Sequence, residues 1–306
     1  MPEEPVVDQR ARPVRLRSRA LGAMKSVYVY LPPEYAAAPR RRFATLYLLR
    51  GHEREWVNPR EDESRAGRTV IDVYEALRAE GAVGPLILVM PGLASDDNAV
   101  PGMLTDFRSP ELAGAAAGVG SGQFQRYFFD ELIPHIDRRL RTAPGARAVA
   151  GFSLGGYMAV KAAALRPELF ASVGAFDGSF PYGADGGRAA RVGDGLFAPP
   201  MFDAPLGRPR DPAWLAANSP VSLLLRADPA ALRRLTWLIQ YGPEQLEPWG
   251  SNFYRGEHLL RALRALGIAN AAPIAAIPDG SHTWQAADRH IAQTLPLHWA
   301  ALARRM

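Results

Sequence analysis

The sequence predicts an α/β fold with a mostly parallel central sheet, and three observations carry that expectation. Apolar runs without alternation, such as FATLYLL at Phe43 to Leu49 and PLILVM at Pro85 to Met90, are the mark of strands covered on both faces. Amphipathic stretches of helical spacing lie between them, and strand-helix alternation implies right-handed parallel crossovers. A segment rich in Gly, Pro, Asp and aromatics, 178–226, interrupts the rhythm and reads as an insertion above the sheet.

Taken in order, residues 1–24 are polar and Arg-rich and read as a loosely attached arm or an edge strand. Ser26 to Leu31 is a strand that Pro32-Pro33 ends. After Phe43 to Leu49, Thr69 to Glu80 has helical spacing. Gln123 to Arg141 predicts one long helix with Phe128, Leu132, Ile136 and Leu140 on a single stripe. Ala146 to Gly151 is a short strand, Leu154 to Leu165 an Ala-rich helix, and Phe170 to Phe176 another strand. Beyond the insertion come a strand at Leu235 to Tyr241, a helix at Glu257 to Leu266, a last strand at Ala272 to Ile277, and a closing helix from Ala286 to Arg304.

The 306 residues suit one catalytic domain over 25–306 behind the arm. Hydrophobic residues at 48% and charged ones at 22% are those of an ordinary globular chain, which sets disorder aside. The absence of cysteine excludes disulfides, thiolate metal sites and a cysteine nucleophile. No apolar run reaches signal-peptide or membrane-helix length, so the chain reads as cytoplasmic and without a membrane partner. The net charge of +5 is almost wholly arginine, spread along the chain and interleaved with acids, which argues against a nucleic-acid surface. His and Asp/Glu do not recur at ligand spacing, so neither a metal nor another cofactor is expected.

Gly151-Phe152-Ser153-Leu154-Gly155 is a G-x-S-x-G set between a strand and a helix, the nucleophile elbow of an α/β-hydrolase fold. Its bland counterpart is a glycine-rich turn. The elbow turns so sharply that the positions two before and two after the serine must be tiny, as Gly151 and Gly155 are. At the helix N-terminus the Leu154 amide is placed to hold a developing oxyanion.

A serine hydroxyl needs a base. His135, His258, His290 and His298 fall within predicted helices and read as packing or surface, and His52 precedes the serine. His282, in a Gly-Ser-His-Thr-Trp turn after the last strand, matches the Ser, acid, His order of the fold. For the acid, Glu244 and Glu247 just past the Leu235 to Tyr241 strand stand equal, with Asp177 a less usual alternative. The backbone of His52 is the choice for the second oxyanion amide, with Arg50, Glu53, Trp56 and Trp284 as substrate contacts. The insertion's Phe180, Tyr182, Phe197, Phe202 and Trp214 suit either a lid over an apolar acyl group or packing of that lid onto the body. Its Arg188, Arg191, Arg208 and Arg210 hint at an anionic or sugar-bearing substrate.

LYLLRGHEREW, VMPG at Val89 to Gly92, ELIPHID at Glu131 to Asp137, GFSLGGYMAVKAAALRPELFASVGAF and GSHTW together resemble the esterase D family of serine esterases, which includes S-formylglutathione hydrolases, feruloyl esterases, enterochelin esterases and mycolyltransferases. The resemblance implies a Ser153, acid, His282 triad; a small-molecule ester substrate, no cofactor and a homodimer are the further expectations. It departs from the family pattern at Arg50, where a histidine is usual, at GPEQLE, where a Gly-x-x-Asp turn is frequent, and at Asp177, where serine is common. Hydrolysis by water, acyl transfer to a bound alcohol, and a non-catalytic binding module on the same fold are the three expected classes of function.

Overall fold

The structure, a computed structural model, describes residues 6–181 and 195–306. Tyr182, Arg188 and Arg191 of the insertion therefore lie outside the described residues. Seven strands form one sheet: β1 (Ala11–Ser18), β2 (Ala23–Tyr30), β3 (Phe43–Leu49), β4 (Leu86–Pro91), β5 (Thr142–Phe152), β6 (Ser172–Phe176) and β7 (Thr236–Gln240). Their order is β1-β2-β4-β3-β5-β6-β7, with β1-β2 and β2-β4 antiparallel and the rest parallel. This is the expected α/β-hydrolase architecture.

Helix α1 (Val70–Ala79) opens with a capping box from Thr69 and Asp72. The helix α2 spans 124–139 and α3 is Leu154–Leu165. In the insertion, α4 is Pro212–Asn218 and α5 Pro220–Arg226; α6 is Phe253–Ala265 and α7 Trp284–Ala303. Because side chains alternate across a strand, Tyr47 and Leu49 of β3 face a core shared with α2, α3 and α6, while Leu46 and Leu48 face a second core shared with α1 and α7. Every residue of β3, β4 and β6 is buried, which is why these strands read as continuous apolar runs.

Of the two readings of the N-terminal segment, residues 11–18 take that of an edge strand, pairing along their whole length with β2, with Val14 and Leu16 packed on the core. Two other elements differ from expectation. The expected last strand at 272–277 makes one isolated parallel bridge, Tyr241 to Ala276, with a second, Trp237 to Asn270, just before it. Pro273 has no N–H to give a ladder. Instead the Asn270 side chain bonds both the N–H and the C=O of Ile239, at 2.9 and 2.8 Å, as a strand backbone would. Finally, α2 winds as a π turn over Tyr127–Leu132, where the Ile133 N–H reaches the Phe128 carbonyl five residues back, just before Pro134, whose missing N–H interrupts the α ladder.

On α7, His290 and His298 are fully buried beneath the sheet. Nδ1 of His290 donates to Gln240 Oε1 at 2.8 Å, since the Gln240 amide nitrogen already donates to Ile274 and Gln293. His298 Nδ1 bonds the Ser172 hydroxyl at 2.7 Å. Burial pushes both imidazoles down from 6.5 to about 3. The unfolded chain takes up protons there below about pH 6.5 and the folded one does not, so this contribution favours unfolding increasingly as pH falls from 6.5 toward about 3 and vanishes above 6.5. Urea unfolding of wild type and His298→Gln at about pH 7.5 and about pH 5 tests this: the variant should lose less stability on acidification. Parallel losses in the two proteins would contradict it.

Candidate active site

At the end of β5, Ser153 has φ 57° and ψ −119°, a strained conformation that lifts its side chain off the sheet at the start of α3. The turn admits no side chain on either flank. A Cβ on Gly151 would lie 2.2 Å from the Gly155 carbonyl carbon, and one on Gly155 would lie 1.8 Å from the Leu49 carbonyl oxygen. Leu154, the first residue of α3, presents an amide that no helical carbonyl can reach.

His282 arrives on the turn after Ile277, whose N–H bonds the Tyr241 carbonyl, and before Thr283, which caps α7. Its N–H donates to the Gly250 carbonyl at 2.8 Å and its ring lies against Phe152, 4.7 Å between centroids. Nε2 is 3.1 Å from Ser153 Oγ, and Nδ1 is 2.5 Å from Asp177 Oδ2. Asp177 ends β6 at φ 45° and is completely buried. Its Oδ1 accepts from the amides of Gly242 and Asn252 at 2.9 and 2.8 Å, and its N–H donates to Gln240.

The structure thus puts Asp177, and neither favoured glutamate, against His282. Glu244 is exposed and receives the Tyr254 hydroxyl; Glu247 accepts the Tyr254 N–H at 3.0 Å, with burial raising its carboxyl above the usual range. The turn after β7 supplies an amide, at Gly242, where an acid was expected. Gly242 itself fits because a Cβ there would meet the Gly280 carbonyl at 2.3 Å.

The loop after β3 also differs from expectation. The His52 N–H donates to Glu55 Oε2 at 2.5 Å, so the expected oxyanion amide is already engaged. Glu55 is buried, which raises its carboxyl, and Arg50 Nε lies 3.4 Å from its other oxygen. Trp56 and Trp284 pack edge to face at 5.0 Å within the core beneath the loop, and Arg50 lies over the rings of Phe152 and Trp284. Glu53 meets the His52 ring at 3.2 Å and, largely buried, has its carboxyl raised, with Lys25 nearby opposing the shift. Arg65 clamps the loop to α7, bonding the carbonyls of Glu55 and Trp56 and pairing in bidentate fashion with Asp288. Arg50, Glu53, Trp56 and Trp284 are therefore parts of the loop's support, and none is among the residues that wall the cavity beside Ser153.

That cavity, about 510 Å³, is walled by Ser153, Ser179, His282, Arg255, Trp249 and, from the insertion, Leu196 and Pro199. Ser179, Asn252, Arg255 and Trp249 were missed by sequence reasoning, since nothing in a loop's composition marks which residue folds back on a strand end. Phe197 and Phe202 pack inward against each other and Tyr157, fixing the insertion to the body. Arg208 and Arg210 both pair with Asp203. Among the described residues no group of His, Asp and Glu is arranged to hold a metal, and no helix is long and apolar enough to cross a membrane.

A strained serine on an elbow, with a histidine and a buried carboxylate in series, is the arrangement of the α/β serine hydrolases. The chain belongs to the family described as "Putative esterase", whose model matches residues 18–286. It is 30% identical over 169 residues to an endo-1,4-beta-xylanase/feruloyl esterase of Xylanibacter ruminicola, covering 53% of this chain and 20% of that protein. It is 29% identical over 177 residues to an esterase of Mycobacterium tuberculosis, covering 56% of this chain and 33% of that protein. The aligned part is thus a third or less of these curated relatives. Among solved structures, a ferulic acid esterase superposes with a TM-score of 0.69 at 22% identity over 97% of this chain and 100% of the other. An S-formylglutathione hydrolase from Agrobacterium tumefaciens does so at 0.65 and 19%, over 98% and 99%. At such identities the likeness is one of fold.

The elbow's packing makes a direct prediction. Gly155→Ala should lower stability by about 1–3 kcal/mol or prevent folding, because the new methyl meets backbone on a central strand. Urea unfolding that matches wild type would show that the elbow tolerates a side chain there.

Proposed function

We propose that the protein is a serine esterase that cleaves carboxylic esters through an acyl-enzyme, with Ser153 as nucleophile, His282 as general base and Asp177 as the acid that orients it. The observation that carries the reading is the unbroken series of contacts from Ser153 Oγ to His282 Nε2 and from His282 Nδ1 to Asp177, at 3.1 and 2.5 Å. With Nδ1–H donated to Asp177, the Nε2 lone pair faces the hydroxyl, the tautomer a base requires.

Ser153 Oγ attacks the ester carbonyl as its proton passes to His282 Nε2. The imidazolium is stabilised by the buried Asp177 carboxylate, which the amides of Gly242 and Asn252 hold in place. The Leu154 amide takes the oxyanion. His282 then protonates the departing alcohol, the acyl group stays on Ser153, and a water deprotonated by the same Nε2 releases the acid.

Hydrolysis of p-nitrophenyl acetate and labelling by a fluorophosphonate probe test the assignment. Ser153→Ala should abolish labelling, and Asp177→Asn should reduce kcat by about 10³–10⁴ because it favours the wrong imidazole tautomer. Glu244→Gln and Glu247→Gln should stay within about tenfold of wild type, an effect under ~1.4 kcal/mol. A large loss in either glutamate variant with little in Asp177→Asn would reverse the assignment of the acid.

A further inference from the structure

A large apolar side chain fully in water is unusual, and Trp249 is 92% exposed while forming part of the wall of the Ser153 cavity. The backbone that carries it is held all the same. The loop that carries it is closed on itself by Gly250 N–H to Leu246 O and Ser251 Oγ to Pro243 O, each 2.8 Å. Just after the tryptophan the same loop is tied to two groups of the site: the Gly250 carbonyl accepts the His282 N–H at 2.8 Å and the Asn252 N–H reaches Asp177 at 2.8 Å. An exposed indole on a backbone held in register with the His282 imidazole offers the cavity a flat apolar face.

We propose that Trp249 is a specificity-determining residue whose indole face stacks on a ring in the alcohol half of the ester. The inference rests on the esterase reading above, because the side of the substrate follows from the mechanism. The leaving oxygen must take its proton from His282 Nε2, so the alcohol lies toward His282 and the loop bonded to it. The insertion's Leu196 and Pro199 form another part of the wall. The shared chemistry is a ring that offers a flat C–H or π face, either the pyranose of a sugar ester or an aryl ring; indole accepts both by dispersion and quadrupole contact.

The test compares esters that form the same acetyl-enzyme, so differences in kcat/KM arise in acylation, where the alcohol is still present. Ethyl acetate, benzyl acetate and methyl 6-O-acetyl-glucopyranoside are assayed with wild type, Trp249→Ala and Trp249→Phe, with ethyl phenylacetate reporting on the acyl side. In Trp249→Ala the kcat/KM ratio of a ring alcohol ester to ethyl acetate should fall about tenfold, the loss of one aromatic stacking contact, and Trp249→Phe should restore most of the benzyl ratio. A fall confined to the glucopyranoside or to benzyl acetate identifies the sugar or the aryl source. Ratios unchanged within about twofold for both ring alcohols, or a comparable fall for ethyl phenylacetate, would overturn the proposal. Failure of the esterase reading looks different: wild type would turn over none of the four esters, and a fluorophosphonate would leave Ser153 unlabelled.

Discussion

A carboxylate buried without any solvent contact is costly unless several donors converge on it, and Asp177 is such a group. Its donors come from the turn after β7, the start of α6 and the turn before α7, through the Gly242 amide, the Asn252 amide and His282 Nδ1. Three segments distant in sequence must therefore meet at the end of β6 for the fold to be stable. The geometry that satisfies the acid is the one that brings His282 Nε2 to Ser153, so folding and the preorganisation of the site share one cause. Asp177 and Ser153 both stand in left-handed backbone conformations, strain held at the site by the surrounding parallel strands.

Ser153 on its elbow and His282 beside it were legible because their signals are local and steric. Gly151 and Gly155 leave no alternative where a Cβ would lie about 2 Å from backbone, and His282 follows a strand end with a helix cap next to it. The acid was not legible from local pattern, since any Asp or Glu near a strand end looks alike until the donors are in place. A signal did exist in two departures from the family pattern taken together: GPEQLE lacks the frequent aspartate after β7, and an aspartate stands at 177 where serine is common. In this chain the carboxylate that meets the imidazole stands at the end of β6.

Elsewhere the sequence misled where tertiary contacts override pattern. The loop Arg50 to Trp56 has the polar and aromatic residues of a binding mouth, yet Trp56 and Trp284 are spent on each other and Arg50 on Glu55 and two rings. The edge strand β1 alternates exposed and half-buried residues and carries Arg12, Arg15 and Arg17, so its outer face reads as a solvated arm as readily as a strand. The segment 272–277 has strand-like residues, but Pro273 denies it a ladder and Asn270 completes the edge of β7 instead.

The bond between His282 and Asp177 is open to direct observation by proton NMR, since an Nδ1–H donated to a buried carboxylate resonates far downfield of other imidazole protons. That resonance should be present in wild type and in Glu244→Gln and Glu247→Gln, and absent from Asp177→Asn and His282→Gln. Its survival in Asp177→Asn together with its loss in one of the glutamate variants would contradict the assignment of Asp177 and, with it, the account of how the site is assembled.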